Sequence, residues 1–218
     1  MTDIPLWEQR FRATRVSLPD WADDAPHRCL YVANPTGTFE LYAWDREAGT
    51  TRQVTDREHG TSDGALSPDG EQVWWFDDTD GDEFGVWRRQ PFTGGADVEA
   101  TPGVPAAYPA GLEIGYAVVV VGCSTDDGTS IHVVRAGRPE VLYASEHDAD
   151  VAGLTRDEDL VVLEHSEHGD SRHRALRVLT LDGEVVWERW DGKGLGLHAV
   201  AFSPIRIGQG GRVARNGH

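Results

Sequence analysis

Gly37, Gly81, Gly128 and Gly169 each separate two short apolar runs, and they lie 44, 47 and 41 residues apart. The flanking runs are strand-like: residues 30–33 and 39–42 around the first glycine, 73–76 and 84–87 around the second, 118–123 and 131–134 around the third, 160–163 and 176–179 around the fourth. A second turn word follows each hairpin, at Ala48-Gly49, Gly94-Gly95, Ala136-Gly137 and Asp182-Gly183. Glycine suits such turns because they often require positive φ, which a Cβ disfavours. A third register precedes the hairpins, with Ser67-Pro68-Asp69-Gly70 before the second and Thr155-Arg156-Asp157-Glu158 before the fourth. Each unit therefore reads as four antiparallel strands. A period of roughly 40–50 residues built from such units is the signature of a β-propeller blade. The expected fold is all-β: a partial β-propeller of about four four-stranded blades, over 28–58, 59–102, 103–146 and 147–192, with the start of a fifth at 193–204.

The ends depart from the repeat. Residues 1–27 read as an N-terminal extension, with a short helical turn over 6–12 that puts Trp7 and Phe11 on one side and an extended lead-in through Leu18-Pro19-Asp20-Trp21. Residues 205–218 read as a disordered tail. From Arg206 on there are three Arg, four Gly and no acid, whereas the preceding 205 residues hold all 37 acids and 17 of the 20 Lys and Arg. That break, placed where a fifth blade should continue, suggests a truncated propeller whose end faces are exposed and open to self-association.

The net charge of −17 repels nucleic-acid phosphates and anionic membranes, which excludes both as expected partners; it reads first as a charge that keeps the protein in solution, with attraction of basic peptides as the alternative. No apolar run reaches the roughly 20 residues of a membrane span, and no basic-then-apolar leader opens the sequence. Cys29 and Cys123 sit in or beside apolar strands and read as buried thiols, which fits a cytoplasmic location. Eight tryptophans, most of them in strand segments, suit wide blade-to-blade packing.

Few residues suggest chemistry. Gly122-Cys123-Ser124-Thr125-Asp126 lacks the second glycine of a nucleophile elbow and sits in a hairpin, so Ser124 is not expected to be a nucleophile. Asp78-Thr79-Asp80-Gly81-Asp82-Glu83 resembles the start of a calcium loop, but position twelve is Arg89 instead of Glu. His165, His168 and His173, interleaved with Glu164, Glu167 and Asp170, offer nitrogen ligands of the kind zinc takes. The pairs Asp23-Asp24 and Asp77-Asp78 read as surface charge. No glycine-rich phosphate loop joins a strand to a helix, so no cofactor is expected. No catalytic, cofactor-binding or metal-binding residue is assigned.

Several strings resemble the N-terminal propeller of bacterial serine peptidases of the prolyl oligopeptidase family: residues 5–12, Leu66-Ser67-Pro68-Asp69-Gly70, residues 80–87 and residues 164–170. The resemblance spans roughly residues 1–204. It implies a propeller that gates peptides toward a separate α/β-hydrolase domain carrying Ser, Asp and His. This sequence holds none of that triad, so the resemblance implies a gating portion, catalytically inert alone, whose partners are peptides or that hydrolase domain. A stand-alone scaffold that binds proteins or peptides is the alternative, and a metal-dependent propeller hydrolase is a third.

Overall fold

The structure is a computed structural model, and it describes residues 5–11, 13–169, 171–193 and 197–199. Sixteen strands form four separate antiparallel sheets, each a meander of four consecutive strands. The first blade is β1 (Val16–Trp21), β2 (Arg28–Ala33), β3 (Glu40–Asp45) and β4 (Thr50–Gln53). The second is β5 (Gly64–Leu66), β6 (Gln72–Asp78), β7 (Gly85–Pro91) and β8 (Val98–Glu99). The third is β9 (Tyr108–Ile114), β10 (Val118–Thr125), β11 (Gly128–Arg135) and β12 (Arg138–Ser145). The fourth is β13 (Ala149–Leu154), β14 (Leu160–His165), β15 (Ala175–Thr180) and β16 (Val185–Arg189). One helix, α1 (Leu6–Phe11), precedes them, with Leu6 and Trp7 exposed.

Period-two alternation explains how the blades stack. In β6, Val73 and Trp75 face the first blade, where they join Leu30, Val32, Leu41 and Ala43. Trp74 and Phe76, with Trp87 of β7, face the third, where they join Val121 and Cys123. A third cluster joins Val120, Ile131 and Val133 to Val161, Leu163 and Leu179 of the fourth blade. Every core therefore lies between two sheets, the arrangement of a β-propeller. Three of the eight tryptophans, Trp74, Trp75 and Trp87, are buried in these cores. On the outward side of the first blade, Trp21 meets Trp44 edge-on and Tyr31 stacks on Tyr42.

The repeated turn words have a shared chemistry. Ser67 Oγ accepts from Gln72 N at 2.9 Å and donates to Asp69 Oδ1 at 2.5 Å. Thr155 Oγ1 accepts from Leu160 N at 3.0 Å and donates to Asp159 Oδ1 at 2.6 Å. A hydroxyl thus closes the turn between the first two strands of both blades. At the hairpin tips, Gly37, Gly81 and Gly128 have positive φ, but Gly169 does not. At Gly128, φ is +125° and a Cβ would lie 2.2 Å from the Ser145 carbonyl oxygen, so geometry and space both demand glycine.

The first blade begins earlier than residue 28. β1 pairs with β2 from Val16↔Ala33 to Trp21↔Cys29, so residues 16–21 are the inner strand of the blade, not an extended lead-in. Its pattern is almost wholly exposed, Leu18 has φ +50°, and a bulge interrupts the register between Ser17 and Asp20. Alternation, the usual strand signal, is therefore missing from it. The fifth-blade start at 193–204 and the tail at 205–218 lie almost entirely outside the described residues. Among those described, no helix is long and apolar enough to cross a membrane.

Candidate functional site

The first strand of each sheet lies at the inner end of its blade, where neighbours meet: Leu66 N of β5 donates to Asp20 Oδ2 of β1 at 2.8 Å. At Gly111 in β9, φ is +90° and a Cβ would stand 2.3 Å from the Val151 carbonyl oxygen of β13. This close approach leaves room only for glycine. The inner strands of the first three blades enclose a groove of about 600 Å³, bounded by Leu18, Pro19 and Asp20, by Ser62 to Ala65, and by Pro109, Gly111 and Leu112.

The groove region is acidic. Burial pushes the Asp20 carboxyl above the usual range, against the opposing Leu66 N–H, and Asp23 adds repulsion. Burial likewise raises Glu113 of β9, with Asp20 contributing like-charge repulsion. Asp63 keeps contact with water, yet the concave walls strip part of its hydration, and Glu83 and Asp78 repel it further, so its pKa is also raised. No ion pair to Asp20, Asp63 or Glu113 occurs among the described residues. Such a surface lowers its own energy by accepting positive charge. One rim of the inner ends is tied across blades: Tyr116 donates to Asp24 Oδ2 at 2.8 Å and Arg156 Nη2 to Asp24 Oδ1 at 3.0 Å. These bonds, Tyr116 first, hold Asp24 below the usual carboxylate range.

A second polar cluster lies between the third and fourth blades. The β15–β16 register pairs Arg177 with Glu188, and the β14–β15 turn carries Glu167 and His168 beside them. Arg177 forks onto Glu167 at 2.7 and 3.1 Å and reaches Glu188 Oε2 through Nε at 2.7 Å. Tyr143 of β12 donates to Glu167 at 2.5 Å. Chiefly through Arg177, Glu167 is held at about 2, and Glu188 is lowered too. Burial alone would lower the Arg177 guanidinium, but the two carboxylates outweigh it and raise it. His165 is fully buried, and burial with nearby Arg177 keeps it neutral by lowering its pKa.

The structure redistributes the sequence candidates. Among the described residues, His165, His168 and Glu188 form the one trio of metal-type ligands whose donor atoms lie within 4.8 Å of one another. His173 is not in that trio; its carbonyl accepts from the Trp190 indole at 3.1 Å. The acidic hairpin spends its groups locally: Glu83 N donates to Asp78 and Phe84 N to Asp82, while Arg57 pairs with Asp77 and reaches the Asp78 carbonyl. Arg89 lies over the Trp74 ring. Ser124 sits in β10 opposite Thr129 and Tyr108, away from any strand-to-helix turn. Cys29 and Cys123 are buried and unpaired, and burial pushes the Cys123 thiol to about 11. The groove acids carried no signal in the sequence because they lie in separate segments that only the stacked blades bring near one another. Glu188 escaped it because only the β15–β16 register brings it to the histidines.

No family model matches this sequence, and no curated protein matches it. Solved structures match its fold. TolB from Acinetobacter baumannii is 15% identical with a TM-score of 0.61, covering 78% of this chain and 42% of its own. The β-propeller domain of the Trilobed protease from Pyrococcus furiosus, described as having an open velcro topology, is 13% identical with a TM-score of 0.60, covering 86% and 60%. A prolyl endopeptidase structure is 18% identical with a TM-score of 0.58, covering 85% and 30%. These likenesses establish the β-propeller fold. The chain spans between about a third and three-fifths of the length of these structures.

Proposed function

We propose that this chain is the substrate-gating propeller portion of a prolyl-oligopeptidase-like serine peptidase, without peptidase activity of its own. In this reading the inner groove receives an extended peptide and favours one with basic side chains. The observation that carries it is the groove itself: Asp20 and Asp63, from the first two blades, line one concave surface, Glu113 of the third blade adds like charge next to Asp20, and none of the three has an ion-pair partner among the described residues. Burial chiefly raises these carboxyls and like charge adds to it, and cationic side chains would favour their ionised form. The fold likeness to two peptidase propellers supports the peptidase setting.

The test is incubation of the pure chain with chromogenic peptide amides and esters, with and without a serine-directed phosphonate, beside binding of fluorescent peptides. The expected result is no hydrolysis and saturable binding of basic peptides. Phosphonate-sensitive hydrolysis would overturn the inert gating role. Binding that ignores peptide charge would overturn the groove assignment and leave a general protein-binding scaffold as the better reading.

A further inference from the structure

We infer that the interface of the third and fourth blades holds a divalent transition-metal site, best suited to zinc, ligated by His165 Nε2, His168 Nε2 and Glu188 Oε1. Two independent observations support it. The first is convergence, since the three donors lie within 4.8 Å of one another. The second is an unmet demand: His165 is 0% exposed, and neither of its ring nitrogens has a hydrogen-bond partner among the described residues. Buried polar groups are nearly always satisfied. His165 Nε2 lies 4.0 Å from Glu188 Oε1, while Nδ1 lies 3.9 Å from Glu167 Oε2. A metal at Nε2 satisfies that nitrogen and fixes the proton on Nδ1, which faces Glu167 Oε2 and would donate to it once the 3.9 Å gap closes. This is the carboxylate–histidine–metal relay that orients ligating imidazoles.

The surroundings are consistent with that role. Glu167 is anchored by Arg177 and Tyr143, so it can hold the imidazole in place. Arg177 occupies Glu188 Oε2 and leaves Oε1 facing the histidines. The His168 ring is two-fifths exposed and stacks on Trp190, so it has room to adjust. Zinc bonds of about 2.0–2.1 Å place tetrahedral donors roughly 3.3 Å apart, so His165 Nε2 must close on Glu188 Oε1 from 4.0 Å while the direct His168–Glu188 hydrogen bond opens to admit the ion. Two histidines and one carboxylate leave the fourth position to water or an outside donor. The two carboxylates and Arg177 together offset one of the ion's two charges.

The test uses the tag-free full chain, stripped by chelator and titrated with Co²⁺, then with Zn²⁺. One equivalent should bind, with the intense ligand-field bands of four-coordinate cobalt, and Zn²⁺ should displace it and raise the Tm. His168→Ala and Glu188→Gln should each weaken binding by at least ~100-fold. Glu167→Gln should weaken it by about 10–100-fold, as a positioning residue does. Equal affinity in His168→Ala and Glu188→Gln would overturn the proposal. Should a variant fail to fold, the wild-type titration still decides, because less than one equivalent or only the weak bands of six-coordinate cobalt would also overturn it.

Discussion

Two regions of this molecule gather carboxylates, and they treat them in opposite ways. Between the third and fourth blades, Glu167 and Glu188 share Arg177, and both are held below the usual range. At and beside the inner groove, Asp20, Asp63 and Glu113 have no ion-pair partner among the described residues, and all three are raised. The first arrangement stabilises the fold; the second costs stability. A region that pays in stability for unpaired charge is where a cationic ligand is expected.

The largest break in the comparison should come from Arg177→Met. It strands two acids beside a buried histidine and should cost about 2–3 kcal/mol, somewhat under the ~3–5 of a fully buried pair because Glu167 and Glu188 are 27% exposed. Urea unfolding at neutral pH measures it. On the groove side, Gly111→Ala forces a Cβ against the Val151 carbonyl oxygen at positive φ and should cost about 1–3 kcal/mol in the same assay.

Acid sharpens the contrast. Glu167 lies at about 2 in the folded chain, so its stabilisation is complete above the unfolded value near ~4.3 and is lost as pH falls from there toward 2. Glu167→Gln should flatten that part of the stability profile. Groove acids carry the opposite sign: with folded pKa values above the unfolded ones, they bind protons more readily when folded, so their penalty fades as pH falls toward the unfolded value. Glu113→Gln should therefore stabilise slightly at pH 7, by a few tenths to about 1 kcal/mol, and its advantage should shrink by pH 4. An unchanged gap between Glu113→Gln and wild type across that range would contradict the raised carboxyl.

Legibility in the sequence follows the range of the interactions. Turn words such as Ser67-Pro68-Asp69-Gly70 act within five residues, so they announced the blades. β1 was hidden because Val16–Trp21 is exposed, bulged and interrupted by Pro19, and its membership depends on pairing with β2. His165 and His168 were visible as neighbours, whereas Glu188 reaches them only through the register that sets it opposite Arg177. Asp20 and Asp63 come from different blades and line one groove only once those blades stack.

The most direct test of the gating reading is fluorescence anisotropy of an extended basic peptide and its acidic counterpart against wild type and the triple variant Asp20→Asn, Asp63→Asn, Glu113→Gln. The account predicts saturable binding of the basic peptide by wild type, weakened at least ~10-fold in the triple variant, with the acidic peptide unbound. Equal binding of both peptides, or basic-peptide binding unchanged by the triple variant, would contradict it.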